Sequence, residues 1–387
     1  MRSWGRTFQA VVKKEWRESI RDRRSMTAGA LFAVSGPVLV ALMIANTVQT
    51  ERSDEPIRAR THGLEHAPDL AEFLEQEGVL SVASGGELQE PAVALRIPAD
   101  YRERFAAGSS VRVQVEADRS KPAARLEAER LERLVRGYSA SLGQLRLSLR
   151  GVAPSVAAPV RVESRDLATR EARSSQTLSV LTIYFLMAAF VGSTAVAIDA
   201  AAGERERNSL EVLMAQPVSG LAVFAGKTAV AAAFGALGVA LTLAVAQLAF
   251  QHVPLAEIGL TWTLDWLGAG QMLLMLLPLV ILVAASQVAL ALVAKTFKEA
   301  SASLNLFLFL PVVVALVVQM KELEAPWMYA VPLLGHQQIL TGSFRAELPD
   351  FLQLAAVSAI SLALAALLIW VGGRMLGRER IVFGQTD

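Results

Sequence analysis

Six long apolar runs and one polar interval divide the chain. Ahead of the first run, Trp4, Phe8, Val11, Val12, Trp16 and Ile20 recur at helical spacing among Arg2, Arg6, Lys13, Lys14, Arg17, Arg21, Arg23 and Arg24. That pattern predicts an amphipathic elbow helix over residues 1–25, apolar face in the membrane interface and basic face toward the headgroups. Residues 26–48 are apolar almost without a break and long enough to span a bilayer, with Pro37 as a kink point. Further spans are expected at 176–198, 221–250, 265–294, 301–320 and 351–373. Residues 326–344, with Pro332 and Gly335, are expected to dip into the membrane or lie at its interface rather than cross it.

The polar interval, residues 49–175, reads as an α/β domain inserted between the first and second spans. Helices are expected at 68–77, 98–107 and 121–149, and strands at 92–97 and 111–117, where Val-Arg-Val-Gln-Val-Glu alternates. Val160 and Val162 suggest a closing strand. The fold class is therefore a polytopic α-helical membrane protein of six transmembrane helices with an α/β extracytoplasmic domain.

Composition supports this: 53% of residues are hydrophobic and mean hydropathy is +0.41, well above the average for soluble proteins. The formal net charge of +1 gives no field for nucleic acid. With no cysteine, disulfides, thiolate catalysis and cysteine metal sites are excluded. His62 and His66 could share a helix face, but read as a surface pair, and no metal site is expected. Lys and Arg favour the segments around 199–220, 295–298 and the tail 374–387. The loops 251–264 and 321–350 carry only Lys321 and Arg345. The positive-inside rule then puts both termini in the cytoplasm.

Gly226-Lys227-Thr228 has no glycine at the spacing a phosphate loop needs, since Gly220 is one residue too far away. Lys227 reads instead as a lysine snorkelling from a span end. The chain itself is expected to bind no cofactor and to hold no catalytic residue. Among neutral span residues, Asn46, Thr182, Tyr184 and Asn305 are candidates for a substrate path. Ser193, Thr194, Gln247 and Gln287 read as packing contacts across helices.

The segment 199–220 carries the most information. Gly203-Glu204-Arg205-Glu206-Arg207 leads into Asn208-Ser209-Leu210-Glu211-Val212-Leu213-Met214, then Pro217-Val218-Ser219. Asn208 and Glu211 have capping-box spacing, Leu210, Leu213 and Met214 form one helical face, and Pro217 ends the helix.

This run resembles the Gly-Glu-Lys-Glu-Arg-Gly-Thr-Leu-Glu and Pro-Val-Ser pattern of type-2 ABC exporter permeases, the NatB-like sodium-efflux permeases above all. Lys14-Glu15-Trp16-Arg17-Glu18, Arg21-Asp22-Arg23-Arg24, Ile97-Pro98-Ala99-Asp100-Tyr101, Lys295-Thr296-Phe297-Lys298-Glu299-Ala300 and Arg378-Glu379-Arg380-Ile381-Val382-Phe383 are similar to further stretches of that family. Asn208 departs from it, since Gly is usual there. The resemblance implies a coupling helix that docks on a separate ABC ATPase, with Gly203, Glu204, Glu206, Arg207, Leu210, Glu211, Leu213, Met214 and Pro217 as its residues. It also implies two ATPase subunits holding ATP and Mg²⁺, a second permease half forming a homodimer, a bacterial cytoplasmic (inner) membrane, and outward transport, with sodium ions as the family's cargo. A drug, a lipid or a peptide are alternative cargoes. A membrane-anchored external sensor and a membrane-embedded enzyme are the alternatives outside transport.

Overall fold

The computed structural model describes residues 2–52, 56–82, 93–119, 122–156, 174, 177–258, 260–321, 326–344 and 350–377. The expected strand at Val160 and Val162 and the tail after residue 377 lie outside them. The chain forms two compact units, Met1–Glu51 with Leu167–Asp387, and Arg52–Asp166.

The smaller unit carries a four-stranded sheet of order β2-β1-β3-β4, from β1 (Ile57–His62), β2 (Val79–Val82), β3 (Val93–Arg96) and β4 (Gln114–Ala117). The first three strands are parallel and β4 is antiparallel to β3. Helix α3 (Pro68–Gln76) connects β1 to β2, and α4 (Tyr101–Ala106) and α5 (Pro122–Leu149) follow β3 and β4. Ile57, Ala59, Leu70, Leu74, Val93, Leu95 and Leu131 form its core. Strands β1 and β2 were not legible in the sequence. In Ile57-Arg58-Ala59-Arg60, arginines on the outward positions hide a two-residue period whose inward positions, Ile57 and Ala59, are buried. His62 lies on β1 and His66 in a short 3₁₀ turn, so the helix face that would join them does not exist.

The larger unit opens with α1 (Arg2–Arg21) and α2 (Arg23–Arg52), separated at Asp22. The second span is α6 (Val180–Glu206), followed by the short α7 (Ser209–Met214) and α8 (Gly220–Phe250). Helix α9 (Trp266–Val293) comes next. The fifth span is broken into α10 (Phe297–Phe307) and α11 (Phe309–Lys321). Helix α12 (Pro332–Phe344) is too short to cross a membrane, and α13 (Phe351–Leu376) is the last span. Among the described residues, six helices are long and apolar enough to cross a bilayer. The break at Leu308 has a cause. Pro311 has no N–H to offer the Phe307 carbonyl, so the ladder is interrupted there. Among the described residues, side chains cap four helix starts: Asp22 accepts from the Ser25 N–H at 3.2 Å, Asp265 from Gly268 at 2.6 Å, Thr296 from Glu299 at 3.2 Å and Asp350 from Leu352 at 3.1 Å.

Helices α6, α8 and α9 form the centre of the bundle, and α8 also packs on α1 and α13. Helices α6 and α8 approach through small residues: a Cβ on Gly192 would sit 2.8 Å from the Phe234 carbonyl oxygen and 3.1 Å from the Gly235 Cα. Such contacts let helix backbones close on each other in a membrane. Gly192→Leu is expected to force the pair apart and cost about 1–3 kcal/mol, the usual penalty of overpacking. A fall in the unfolding temperature of the detergent-purified protein would show it.

A polar contact joins α6 to α9. Ser193 donates to Gln287 Oε1 at 2.7 Å, and Gln287 Nε2 donates to the Phe190 carbonyl and to Thr194, both at 3.0 Å. Similarly, the Trp262 indole donates to Gln247 at 2.8 Å and stacks on Phe250. These side chains bond across the bundle, the role the sequence assigns to Gln247 and Gln287.

Candidate functional site: the charged segment after the second span

The charged segment is not a loop at its start. Helix α6 continues beyond Ile198 through a π-turn, Asp199–Gly203, and ends with Glu204–Glu206. Ala200, Ala201, Ala202 and Gly203 are buried. A Cβ at Gly203 would meet Asp199 Oδ1 at 2.7 Å and the Arg207 guanidinium at 3.2 Å, so a larger residue there would push those side chains aside. Those two groups form an ion pair of 2.8 Å across it.

Each charge of Glu204-Arg205-Glu206-Arg207 has a partner. Glu204 is 2% exposed and accepts from Lys227 Nζ at 2.7 Å, while its other oxygen takes Lys14. Arg205 donates to the Leu292 and Ala294 carbonyls, both at 2.7 Å, at the C-terminal end of α9. A cation suits that end, where carbonyls have no helical donor. Glu206 accepts from the Phe297 N–H at 2.9 Å at the start of α10, where an acid suits the exposed donors. Arg207 closes the set on Asp199. One tetrapeptide thus ties α6 to α1, α8, α9 and α10.

The residue at the centre is Lys227, 2% exposed on α8, which donates to Glu15 and to Glu204 at 2.7 Å each. It therefore does not snorkel to water as the sequence suggested. A partner on each side holds its charge inside the protein. Glu15, 3% exposed, comes from α1, where it shares the buried face with Val11. Burial pushes the Glu15 carboxyl above its ordinary range, against the pull of Lys227. Lys14 donates to Glu15 at 3.1 Å and pairs with Glu18 at 3.0 Å from the open side. Burial works against its charge, but Glu15, Glu204 and Glu18 outweigh that and raise its pKa. The three carboxylates lie within 4.8 Å of one another, close enough for a metal ion, but Lys14 and Lys227 already occupy their oxygens.

Helix α1 is corrected accordingly. Its Val11 side packs on Gly226 of α8 rather than facing the interface, while Trp4, Trp16 and Ile20 stay exposed. A signal was present: Glu15 follows Val11 by four residues, so an acid falls on the apolar stripe.

Helix α7 also differs from the reading above. Asn208 precedes it with φ 57°, the left-handed region, and its side chain makes no cap bond. Asn tolerates that conformation better than most residues, which accounts for asparagine at a position where glycine is usual. Ser209 donates to the Glu204 carbonyl at 3.1 Å. Leu210 is fully buried, and Leu213 and Met214 are half-buried against the bundle core. The apolar face is thus spent inside the chain. What α7 shows to solvent is Val212, 67% exposed, with Glu211 half-exposed beside it and Gln216 and Pro217 exposed after it.

The proposed substrate-path residues have separate settings. Thr182 is buried, its hydroxyl on the Ser179 carbonyl at 2.6 Å. Tyr184 packs on Gly36 and Phe32 of α2. Asn46 on α2 and Asn305 on α10 are exposed.

The ABC-2 family transporter protein profile matches residues 9–372, which takes in most of α1, the first five spans, the charged segment and most of the last span. The chain belongs to the ABC-2 transporter family. It is similar to the ABC transporter permease protein NatB of Bacillus subtilis (strain 168), with 22% identity over 321 residues, covering 78% of this chain and 80% of that protein. No solved structure matches it significantly. As an ABC-2 permease, the chain is a multi-pass membrane transport subunit, and the clamp around Lys227 lies within its family-matched region.

Proposed function

We propose that this permease is the membrane subunit of an exporter that moves its cargo outward with energy from separate ATPase subunits. The observation that carries the coupling is the tetrad 204–207. A helix whose entry residues hold α1, α8, α9 and α10 at once cannot be displaced without moving them. Helix α7 with Glu211, Val212 and Pro217 is then the surface that an ATPase engages, and ATP and Mg²⁺ belong to that partner. Two such chains would pair, each with one ATPase. Sodium is the cargo the NatB-like resemblance implies. The spans supply it no uncommitted mid-membrane carboxylate among the described residues, since Glu204 is held by two lysines and Asp199 by Arg207.

Affinity capture of the chain from its native host tests the reading. An ABC ATPase should copurify. Capture without any ATPase would overturn it.

The polar unit is extracytoplasmic in this reading. Ser109 and Ser139 are exposed on it, and the chain has no native cysteine to interfere. Cysteines placed there should react with a membrane-impermeant maleimide on intact cells or spheroplasts. Reaction only after lysis would reverse the topology.

A further inference from the structure

A cavity of about 170 Å³ lies between the α1–α2 break, α6 and α8. Val191, Phe234, Leu237 and Leu241 make its walls apolar, and Gly29 and Gly192 leave it unfilled. Its polar groups are Ser19, Asp22, Ser25 and Asp199, contributed by the α1–α2 break and the π-turn of α6. The apolar lining of α2, α6 and α8 lies further into each span. The space is therefore amphipathic along its length, with carboxylates at one end and hydrocarbon at the other. Among the described residues, no lysine, arginine or histidine lines it. Asp22 accepts from the Ser25 N–H at 3.2 Å, and hydrogen bonding from Ser25 holds its carboxyl below the ordinary range. Asp199 shares its Oδ1 with Arg207. The Phe234 ring lies 5.3 Å from that of Trp16, and aromatic rings favour a cation nearby.

We propose that this cavity binds a lipophilic cation, its alkyl portion among Val191, Leu237 and Leu241 and its positively charged head beside Asp22. An anionic amphiphile would meet the Asp22 carboxylate, and the guanidinium beside the cavity, Arg207, is already paired with Asp199. A bare metal cation would leave the apolar walls unused. The assignment deepens the export reading by giving the cargo a chemical class. It rests on that reading for the transport step, but not for binding.

The test is equilibrium binding of tritiated dodecyltrimethylammonium to the purified full-length chain in phosphatidylcholine nanodiscs. Gly29→Trp should weaken binding at least about tenfold by filling the space. A Cβ on Gly29 meets no atom within 4 Å, so the side chain starts into open space. Asp22→Asn keeps an acceptor for the Ser25 N–H and removes only the charge. It should weaken the cation about fivefold, the scale of one partly exposed charge contact, and leave dodecanol unaffected. Equal binding by wild type and Gly29→Trp, equal binding by wild type and Asp22→Asn, or dodecyl sulfate binding as tightly as the cation would overturn the proposal. ATPase capture by the same preparations separates the two readings. Failed cation binding with the ATPase retained removes the cavity assignment alone. Normal cation binding without an ATPase removes the export reading alone.

Discussion

Lys227→Ala is expected to destabilise the permease by about 3–5 kcal/mol, the usual cost of stranding buried charge. Removing the ammonium leaves Glu15 and Glu204 facing each other, both nearly inaccessible to water. Lys14 reaches both from the open side but cannot replace a partner that lay between them. The remaining choices are to protonate a carboxyl, to admit water or to release α1 from α8. Each lowers the unfolding temperature, and the last also exposes the Val11–Gly226 contact. The triple change Glu15→Gln, Lys227→Met, Glu204→Gln should recover most of that loss, because a buried ion cluster is often no more stable than a neutral replacement of similar volume. If the lysine serves coupling rather than stability, the triple variant will melt near wild type yet show ATP hydrolysis detached from transport. A Lys227→Ala protein that unfolds at the wild-type temperature would show that the cluster does not form.

Val212→Asp is expected to abolish ATPase capture while leaving the permease folded. Val212 is the exposed apolar side chain of α7, so an aspartate there disturbs little within the chain; surface changes of this kind usually stay within about 0.5 kcal/mol. At an interface the same carboxylate would be buried without a partner. A penalty of about 2–5 kcal/mol corresponds to an affinity loss of roughly 30-fold or more. Leu213→Asp is a poorer probe, since Leu213 packs on the bundle core and its loss would damage the permease as well. Binding would be compared by pull-down and unfolding by thermal melt. Wild-type capture by a well-folded Val212→Asp protein would remove α7 from the interface.

The sequence made the larger architecture legible because long apolar runs have few alternative solutions. Residues 221–250 and 351–373 correspond closely to α8 and α13. The start of α10 was placed late, since Phe297 to Ala300 looks like a charged turn until Thr296 is recognised as its cap. The site was legible as a motif but not as a geometry. Arg205 and Glu206 look like solvated charges because their partners, two carbonyls and one N–H, are backbone groups without side-chain identity. Lys227 and Glu15 are 212 positions apart, and no local period connects them. Each was nonetheless out of place by itself, a charge on an otherwise apolar helical face. Read together, those two exceptions would have indicated a pair.

The π-turn at Asp199–Gly203 has a consequence for how such a segment can evolve. A turn closed by i→i+5 bonds holds one residue more than an α-turn, and one residue is about 100° of rotation. The phase of Glu204 to Arg207 is thereby set apart from that of the membrane-embedded helix before them. Lipid-facing and bundle-facing positions in Val180–Ile198 can drift with the bilayer and the cargo while the charged tetrad keeps its bearing on α8, α9 and α10. The turn acts as a vernier between the two surfaces: deleting a single alanine from it would return the segment to an ordinary α-turn, with the tetrad still facing its partners.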